Sequence, residues 1–298
     1  MTETHCGTVA VVGAPNAGKS TLVNAMVGQK VAIVSAKVQT TRQRLMGIAI
    51  DGTTQLLLID TPGIFQPRRR LDRAMVKAAW DGAADADVIA LVVDAKTGLR
   101  GEVPDIIAAL AKRREPKFLV INKVDISVKE KLLVLAQAAN ALLPFDEIFF
   151  VSATTGDGVA ELKTALAGRL PPGPWHFPED QLSDATTRLM ASELTREQLY
   201  QQLHAELPYA ATIETEKWEE RRDGSIAIHQ QIVVERDSQK AIVLGKGGAR
   251  IKDIGATSRA AISELTGKTV HLFLHVKVRP DWGDDRSLYS SVGLDFVD

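Results

Sequence analysis

A glycine-rich segment near the start of the chain combines residue types that can surround an anion. Residues 13–20 have the sequence GAPNAGKS, which fits the pattern GxxxxGK(S/T). The segment lies between the apolar run 9–12 and the helical stretch 21–27, which is the context that the pattern requires. In such a loop the main-chain N–H groups curl around phosphate oxygens, the lysine reaches the β and γ phosphates, and the hydroxyl binds Mg²⁺. The predicted phosphate-binding residues are Gly13, Ala14, Pro15, Asn16, Ala17, Gly18, Lys19, Ser20 and Thr21.

A second polar segment follows the apolar run 56–59, about forty residues after the loop. It consists of Asp60, Thr61, Pro62 and Gly63. An Asp at the carboxyl end of a parallel strand can hold Mg²⁺, and the N–H of Gly63 can contact a γ-phosphate. These four residues alone would also make a good turn. Their distance from the loop favours a metal site in which Asp60 joins Ser20.

A third segment selects the base. Asn122, Lys123 and Asp125 follow the apolar run 118–121. A carboxylate at Asp125 can accept hydrogen bonds from N1–H and the 2-amino group of guanine, whereas adenine offers neither and would leave the acid unpaired. After the run 148–151, Ser152 and Ala153 would present main-chain N–H to guanine O6. We therefore predict that the ligand is GTP or GDP.

The runs that carry these segments predict the first fold. Residues 9–12, 56–59, 88–93, 118–121 and 148–151 are short and continuously apolar, as buried parallel strands are. Amphipathic stretches such as 71–80 and 129–142 lie between them. Alternating strands and helices indicate an α/β P-loop domain with a mostly parallel, doubly wound sheet. We assign residues 1–172 to it.

Beyond residue 170 the pattern changes. The segment PPGPWHFPED cannot continue a helix and indicates a stiff linker, which we place at 173–183. Residues 184–207 have helical periodicity, whereas 226–234 and 270–278 alternate like half-exposed strands. This order indicates a smaller α+β domain at 184–298.

Between those two strands, helical stretches flank a GKGG loop. Its glycines let the main chain approach a phosphate, and the following helix N-terminus favours anions. Residues 240–279 contain eight Lys and Arg against two Asp and Glu, a net charge of +6 in a chain whose overall charge is −1. The pattern fits a type II KH domain that holds about four single-stranded nucleotides. The predicted RNA-binding residues are Gly245, Lys246, Gly247, Gly248, Arg250 and Lys252.

Length and composition indicate the number of domains and the cellular compartment. With 298 residues, two domains are expected, and Cys6 as the single cysteine excludes an internal disulfide. There is no apolar run long enough to span a bilayer and no signal peptide pattern at the start. We expect a cytoplasmic protein that acts as a monomer.

The motifs resemble those of the Era family of GTPases along the whole chain. The resemblance includes SAKVQTTRQR at 35–44, PEDQLSD at 178–184, ERDSQKAIVLGKGGARIKDIG at 235–255 and KVRPDW at 277–282. It implies that 35–44 is switch I, with Thr41, or Thr40 as the alternative, binding Mg²⁺ and the γ-phosphate. The implied catalytic residues are Lys19, Thr41 and Gly63. The implied partners are the 3′ end of small-subunit ribosomal RNA and the 30S subunit during its maturation. Era relatives also contact the inner face of the cell membrane peripherally, but this sequence has no clear amphipathic anchor.

One position departs from the pattern of signalling GTPases. Ile64 stands where many of them have a glutamine that orients the attacking water. Slow intrinsic hydrolysis is therefore expected, with stimulation by a partner or by K⁺. Asn16 matches an asparagine that ligates K⁺ in some relatives; a turn former that satisfies its own backbone is the alternative. Two other functions of the chain remain open. One is a GTP-dependent scaffold that docks a protein through the C-terminal half, and the other is a sensor that binds GTP with negligible hydrolysis.

Overall fold

The computed structural model describes residues 3–35, 37, 40–42, 44–84, 86–203, 207–280, 282, 285–286, 289 and 294–297, without the side chains of 208 and 209. Two compact units share the chain. The first comprises Met1–Val34, Thr41–Asp184 and Gly293–Asp298, and the second comprises Ser35–Thr40 and Ala185–Val292. Of the predicted switch I, Ala36, Val38, Gln39 and Gln43 lie outside the described residues, as do 204–206 of the predicted helix at 184–207.

A six-stranded sheet forms the centre of the first unit, in the order β2-β3-β1-β4-β5-β6. All neighbouring strands are parallel except β2 and β3. The strands are β1 (His5–Val12), β2 (Leu45–Asp51), β3 (Thr54–Asp60), β4 (Val88–Asp94), β5 (Lys117–Asn122) and β6 (Glu147–Val151). The helices are α1 (Lys19–Val27), α2 (Arg70–Ala84), α3 (Val103–Leu110), α4 (Lys129–Leu142) and α5 (Val159–Ala167).

The apolar runs form strands because helices cover both faces of the sheet. In β4, Val88, Ala90 and Val92 pack into the core on one face. Their neighbours Ile89, Leu91 and Val93 pack into the core on the other. Since side chains alternate along a strand, only a continuous apolar run satisfies both cores. The parallel strands consequently end at one edge, where the polar segments follow them.

The predicted linker lies along the first unit. Pro172 forms an isolated bridge with His5, and Ser183 forms another with Gly47 of β2. Trp175 and Phe177 pack against the small cluster of Cys6, Ile48 and Leu57. Residues 173–184 therefore belong to the first compact unit, beyond the boundary predicted at 172.

The C-terminal tail also belongs to the first unit, although the sequence placed it in the second domain. Leu294 is buried, and the carboxylate of Asp295 accepts from Lys77 of α2 at 2.9 Å. The guanidinium of Arg70 lies 4.8 Å from the centroid of the Phe296 ring. Long-range packing of this kind leaves no periodic pattern in the sequence.

The second unit has a three-stranded sheet in the order β7-β8-β9, with β7 and β8 antiparallel and β8 and β9 parallel. Its elements are α6 (Thr187–Gln202), β7 (Ala211–Glu220), β8 (Ile226–Val234), α7 (Asp237–Leu244), α8 (Ala249–Thr266) and β9 (Val270–Val278). Leu199, Ile232 and Ile254 are among the residues of its apolar core. The element order is that of the type II KH fold predicted above. Within the described part of the chain, no helix combines the length and apolarity needed to cross a membrane.

Candidate functional site

The glycine-rich loop curves around the start of α1. Gly18 precedes the helix with φ of 93°, and Asn16 has φ of 61°, a left-handed conformation that asparagine tolerates better than most residues. The Lys19 ammonium is buried and donates to the carbonyl oxygens of Gly13 at 3.2 Å and Ala14 at 3.0 Å. Burial lowers the pKa of Lys19 to about 8, although the nearby Asp60 charge opposes this shift. A cation held in a loop of this shape is suited to an anionic ligand.

Three oxygen-bearing side chains meet beside the loop. Ser20 Oγ donates to Asp60 Oδ2 at 2.6 Å, and Thr41 Oγ1 donates to the same oxygen at 3.2 Å. The two hydroxyl oxygens are 2.8 Å apart. Thr40 is oriented differently, since its hydroxyl donates to the carbonyl oxygen of Lys37. The geometry therefore favours Thr41 over Thr40 as the third metal-ligand candidate.

Asp60 itself is fully buried. Among the described residues, no donor lies within hydrogen-bonding distance of its Oδ1. Burial raises the pKa of Asp60, and hydrogen bonds from Ser20 and Thr41 with the charge of Lys19 oppose the rise. A buried carboxylate oxygen without a donor is costly unless a cation or proton meets it. The oxygen-only set of Ser20, Thr41 and Asp60 fits Mg²⁺, which prefers such ligands.

The segment after β3 contacts the glycine-rich loop. Ile64 N–H donates to the carbonyl oxygen of Gly13 at 3.1 Å, and the Ile64 side chain is buried in the apolar core. A Cβ on Gly63 would lie 2.9 Å from both Cα and N of Pro15. Thr61 attaches this segment to β1, because its buried hydroxyl donates to the carbonyl oxygen of Val11 at 2.8 Å. Only glycine therefore fits at 63 while the main chain of this segment stays against Pro15.

The segment predicted to recognise the base combines a buried amide with an exposed acid. Asn122 is buried, and its side chain hydrogen bonds to Ala17 of the glycine-rich loop and to Ala153. Asp125 is exposed in a short turn of 3₁₀ helix. Lys123 has φ of 66° and donates to Asn16 O at 2.6 Å and to Asp94 Oδ2 at 2.7 Å. Ala153 N–H donates to Asn122 Oδ1 at 3.0 Å, while Ser152 N–H donates to Asp157 O at 2.9 Å.

Sequence reasoning missed Asp94. This residue ends β4, and its carboxylate accepts from the Lys123 ammonium and from the N–H groups of Lys96 and Thr97. The signal was present, because Asp94 directly follows the apolar run 88–93 as Asp60 and Asn122 follow theirs. All the predicted nucleotide-site residues of the first unit lie at the ends of β1, β3, β5 or β6 or after them, apart from Thr41, which precedes β2.

The GKGG loop joins α7 to α8 in the second unit. Gly245, Gly247 and Gly248 have φ of 69°, 60° and 80°. A Cβ on Gly245 would lie 2.7 Å from Arg250 Cβ, whereas Cβ atoms on Gly247 and Gly248 would meet nothing within 4 Å. Lys246 and Lys252 are exposed, and α8 begins directly after the loop at Ala249. The loop thus presents open main chain and positive charge at a helix N-terminus.

The fold and the two loops define the class of protein, a P-loop GTPase domain followed by a KH domain. Residues 8–123 match the family described as 50S ribosome-binding GTPase, and residues 206–283 match the KH domain family. The chain is 61% identical over 294 residues to a GTPase Era of Bradyrhizobium sp. strain BTAi1, covering 99% of this chain and 96% of the relative. It is 59% identical to the GTPase Era of Erythrobacter litoralis, with 100% of both covered. The chain belongs to the GTPase Era family.

Solved structures agree with this assignment. A crystal structure of Era in complex with MgGDPNP and nucleotides 1506–1542 of 16S ribosomal RNA matches with a TM-score of 0.93 and 34% identity, covering 97% of this chain and 99% of that one. The same values hold for a crystal structure of an Aquifex aeolicus Era variant bound to GDP·AlF₄⁻. The predicted family, the two-domain fold class and the GTPase activity are thereby confirmed.

Proposed function

We propose that this GTPase hydrolyses GTP at the edge where β1, β3, β5 and β6 end, and that it uses its GKGG loop to bind the 3′ end of small-subunit ribosomal RNA. The observation that carries the first half is the contact of Ser20 and Thr41 with the buried Asp60. The relative solved with 16S ribosomal RNA supports the second half. The protein would assist maturation of the small subunit.

In the proposed site, Lys19 neutralises charge on the β and γ phosphates, and the N–H of Gly63 donates to the γ-phosphate. Ser20, Thr41 and Asp60 hold the Mg²⁺. When bound, the metal supplies positive charge to the oxygens that become more negative during phosphoryl transfer. Ile64 cannot hydrogen bond to water through its side chain, so these residues must act by positioning and charge.

For the RNA site, the test uses the open space at Gly247 and Gly248. The double variant G247D/G248D adds two negative charges at positions where a Cβ meets no atom within 4 Å, and Asp tolerates positive φ better than most residues. Binding of a single-stranded RNA with the 3′-terminal sequence of small-subunit ribosomal RNA should fall by at least tenfold. The neutral variant G247N/G248N is the matched control and should lose much less. Equal binding by both variants and the native chain would reject the RNA site.

The same variants separate the RNA reader from the scaffold alternative. If the chain docks on the 30S subunit only through protein, G247D/G248D should bind purified subunits as the native chain does. A reader of RNA should lose subunit binding in parallel with oligonucleotide binding. Sedimentation of the chain with 30S subunits gives the measurement.

We also propose that K⁺ stimulates hydrolysis through Asn16. Because Asn16 has φ of 61°, Asn16→Gly removes the side chain without backbone strain. The native chain should hydrolyse GTP faster in KCl than in NaCl, and the variant should show equal rates in both salts. Equal rates for the native chain would remove the K⁺ proposal and leave the Mg²⁺ site untouched.

A peripheral contact with the inner membrane face is the last part of the proposal. Helix α4 exposes Leu133, Val134 and Leu142 by 63%, 66% and 56%, with Lys129 and Lys131 exposed at its start. Apolar side chains beside cations suit an anionic bilayer surface. The native chain should co-sediment with anionic vesicles, and L133S/V134S should not.

We also propose that the protein is a monomer, which light scattering at micromolar concentration would measure.

A further inference from the structure

A short segment of the predicted switch I is held by helix α6. Both belong to the second compact unit, which comprises Ser35–Thr40 and Ala185–Val292. Lys37 Nζ donates to the carbonyl oxygens of Tyr200 and Leu203 at the C-terminal end of α6. A lysine there satisfies carbonyls that have no partner within the helix and complements the helix dipole.

The second attachment is a buried arginine. Arg196 is 3% exposed and its Nη1 donates to the carbonyl oxygen of Thr40 at 2.6 Å. Its Nε donates to Glu193 Oε1 at 3.0 Å, and its Nη2 donates to Glu193 Oε2. The guanidinium also lies 5.4 Å from the centroid of the Tyr200 ring. The two-point pairing with Glu193 fixes the guanidinium plane, so Nη1, which donates to Thr40, has a defined direction.

The Thr40 carbonyl matters because of the residue that follows it. The C=O of Thr40 and the N–H of Thr41 share one planar peptide unit, so a hydrogen bond that fixes one group fixes the other. Thr41 is buried at 7% exposure, and its hydroxyl contacts Ser20 and Asp60 in the first unit. The direction of the peptide plane therefore limits where the Thr41 hydroxyl can lie.

We propose that Arg196, held by Glu193, is a positioning residue for GTP hydrolysis that orients the main chain presenting Thr41. This proposal rests on the proposed role of Thr41 as a ligand of Mg²⁺ and the γ-phosphate. GDP binding, which needs no γ-phosphate contact, does not depend on it.

The test removes the contact without leaving a buried charge. Replacing a buried ion pair by apolar side chains of similar volume is often neutral for folding, whereas removing one partner is not. In R196M/E193M, kcat for GTP at saturating Mg²⁺ should fall by roughly 10- to 100-fold, while the Kd for GDP should stay near the native value. Arg196→Lys keeps a cationic group but loses the planar two-point pairing with Glu193, and should give an intermediate kcat.

Arg188→Met is the matched control. Arg188 lies on the same helix, is exposed, and donates to Thr215 O rather than to switch I. Its removal should leave kcat unchanged. Native kcat in both Arg196 variants, with native melting curves, would overturn the positioning role. If R196M/E193M does not fold, Arg196→Lys decides by itself.

The variant Thr41→Ala distinguishes the assignment of Thr41 to the metal site from the positioning role of Arg196. If Thr41→Ala loses hydrolysis while the Arg196 variants keep it, the metal-site assignment stands and the positioning role fails. If Thr41→Ala hydrolyses GTP as the native chain does, the assignment of Thr41 fails, and the positioning role fails with it.

Discussion

Asn122 Nδ2 donates to the carbonyl oxygen of Ala17 at 2.9 Å, which ties the end of β5 to the phosphate loop across 105 residues of sequence. The Oδ1 atom of the same side chain accepts from the N–H groups of Lys123 at 2.8 Å and Ala153 at 3.0 Å. A Cβ on Gly18 would lie 2.3 Å from Asn122 Nδ2. One buried amide thus joins the loop for the phosphates to both segments predicted to contact the base.

Asn122→Ala should weaken GTP and GDP binding by the same factor. The substitution leaves the Ala17 carbonyl and the Ala153 N–H without this partner, at about 1–3 kcal/mol for each group that stays buried and unsatisfied. Because the contacts do not involve the γ-phosphate, the loss is common to both nucleotides. Titration with fluorescent GDP and a GTP analogue gives the two affinities.

Asn140→Ala is the control for that prediction. Asn140 is exposed at the end of α4, where its Oδ1 accepts from Phe145 N–H at 3.0 Å. Its replacement should leave both nucleotide affinities unchanged. A selective loss of GTP affinity in Asn122→Ala would contradict the connecting role.

Gly63→Ala should slow hydrolysis and spare GDP binding. The new Cβ would lie 2.9 Å from main-chain atoms of Pro15, which cannot rotate away as a side-chain tip can. The Gly63 N–H would then move away from the position proposed for the γ-phosphate, and losing one such donor costs roughly 100-fold or more in kcat. Single-turnover phosphate release measures the effect. Gly173→Ala, where a Cβ meets no atom within 4 Å, should hydrolyse GTP at the native rate.

The strands and motifs that depend on residues close together in the sequence could be predicted. The strand β8 was predicted at 226–234 and β9 at 270–278, and both were correct to the residue. The parallel strands of the first unit were located because their apolar runs are continuous, whereas β8 and β9 were located by alternation. The nucleotide site followed from these strands, since each motif directly succeeds one of them.

Two strands were missed for physical reasons. The strand β7 has the sequence ATIETEKWEE, and its second half is largely exposed, so its acidic residues suggested no core. The edge strand β2 pairs only with β3 and the end of the linker, so its pattern is weaker than that of a central strand. Contacts such as Arg196 with Thr40 join residues 156 apart and have no local signal at all.

Asp125→Asn should change the preferred base. Asn presents a donor where the carboxylate is proposed to accept from guanine, so GTP binding should weaken by roughly 10⁴-fold, as expected when a polar pairing that the bound base shields from water is lost. Xanthine has a carbonyl at position 2 and should regain that interaction. Competition between GTP and XTP for the variant measures the switch. Retained preference for GTP would show that Asp125 does not contact the base.

Lys19 links nucleotide binding to proton uptake. Burial lowers its pKa to about 8 in the protein alone, against an ordinary value of 10.5. Phosphates beside the ammonium favour its charged form and should return the pKa toward that ordinary value. At pH 8, GDP binding should therefore take up a fraction of a proton through Lys19, and Lys19 should contribute less uptake at pH 6.5. Affinity for GDP should accordingly fall as pH rises above 8, since the lysine must then be protonated on binding.

Calorimetry in buffers with different ionisation enthalpies measures this uptake. The second pKa of a phosphate is about 6, so the nucleotide is almost fully ionised at pH 8 and cannot supply the signal. Guanosine, which carries no phosphate, is the matched ligand and should bind without net proton uptake at the same pH. Equal uptake for guanosine and GDP would assign the proton to another group and leave the Lys19 ammonium charged throughout.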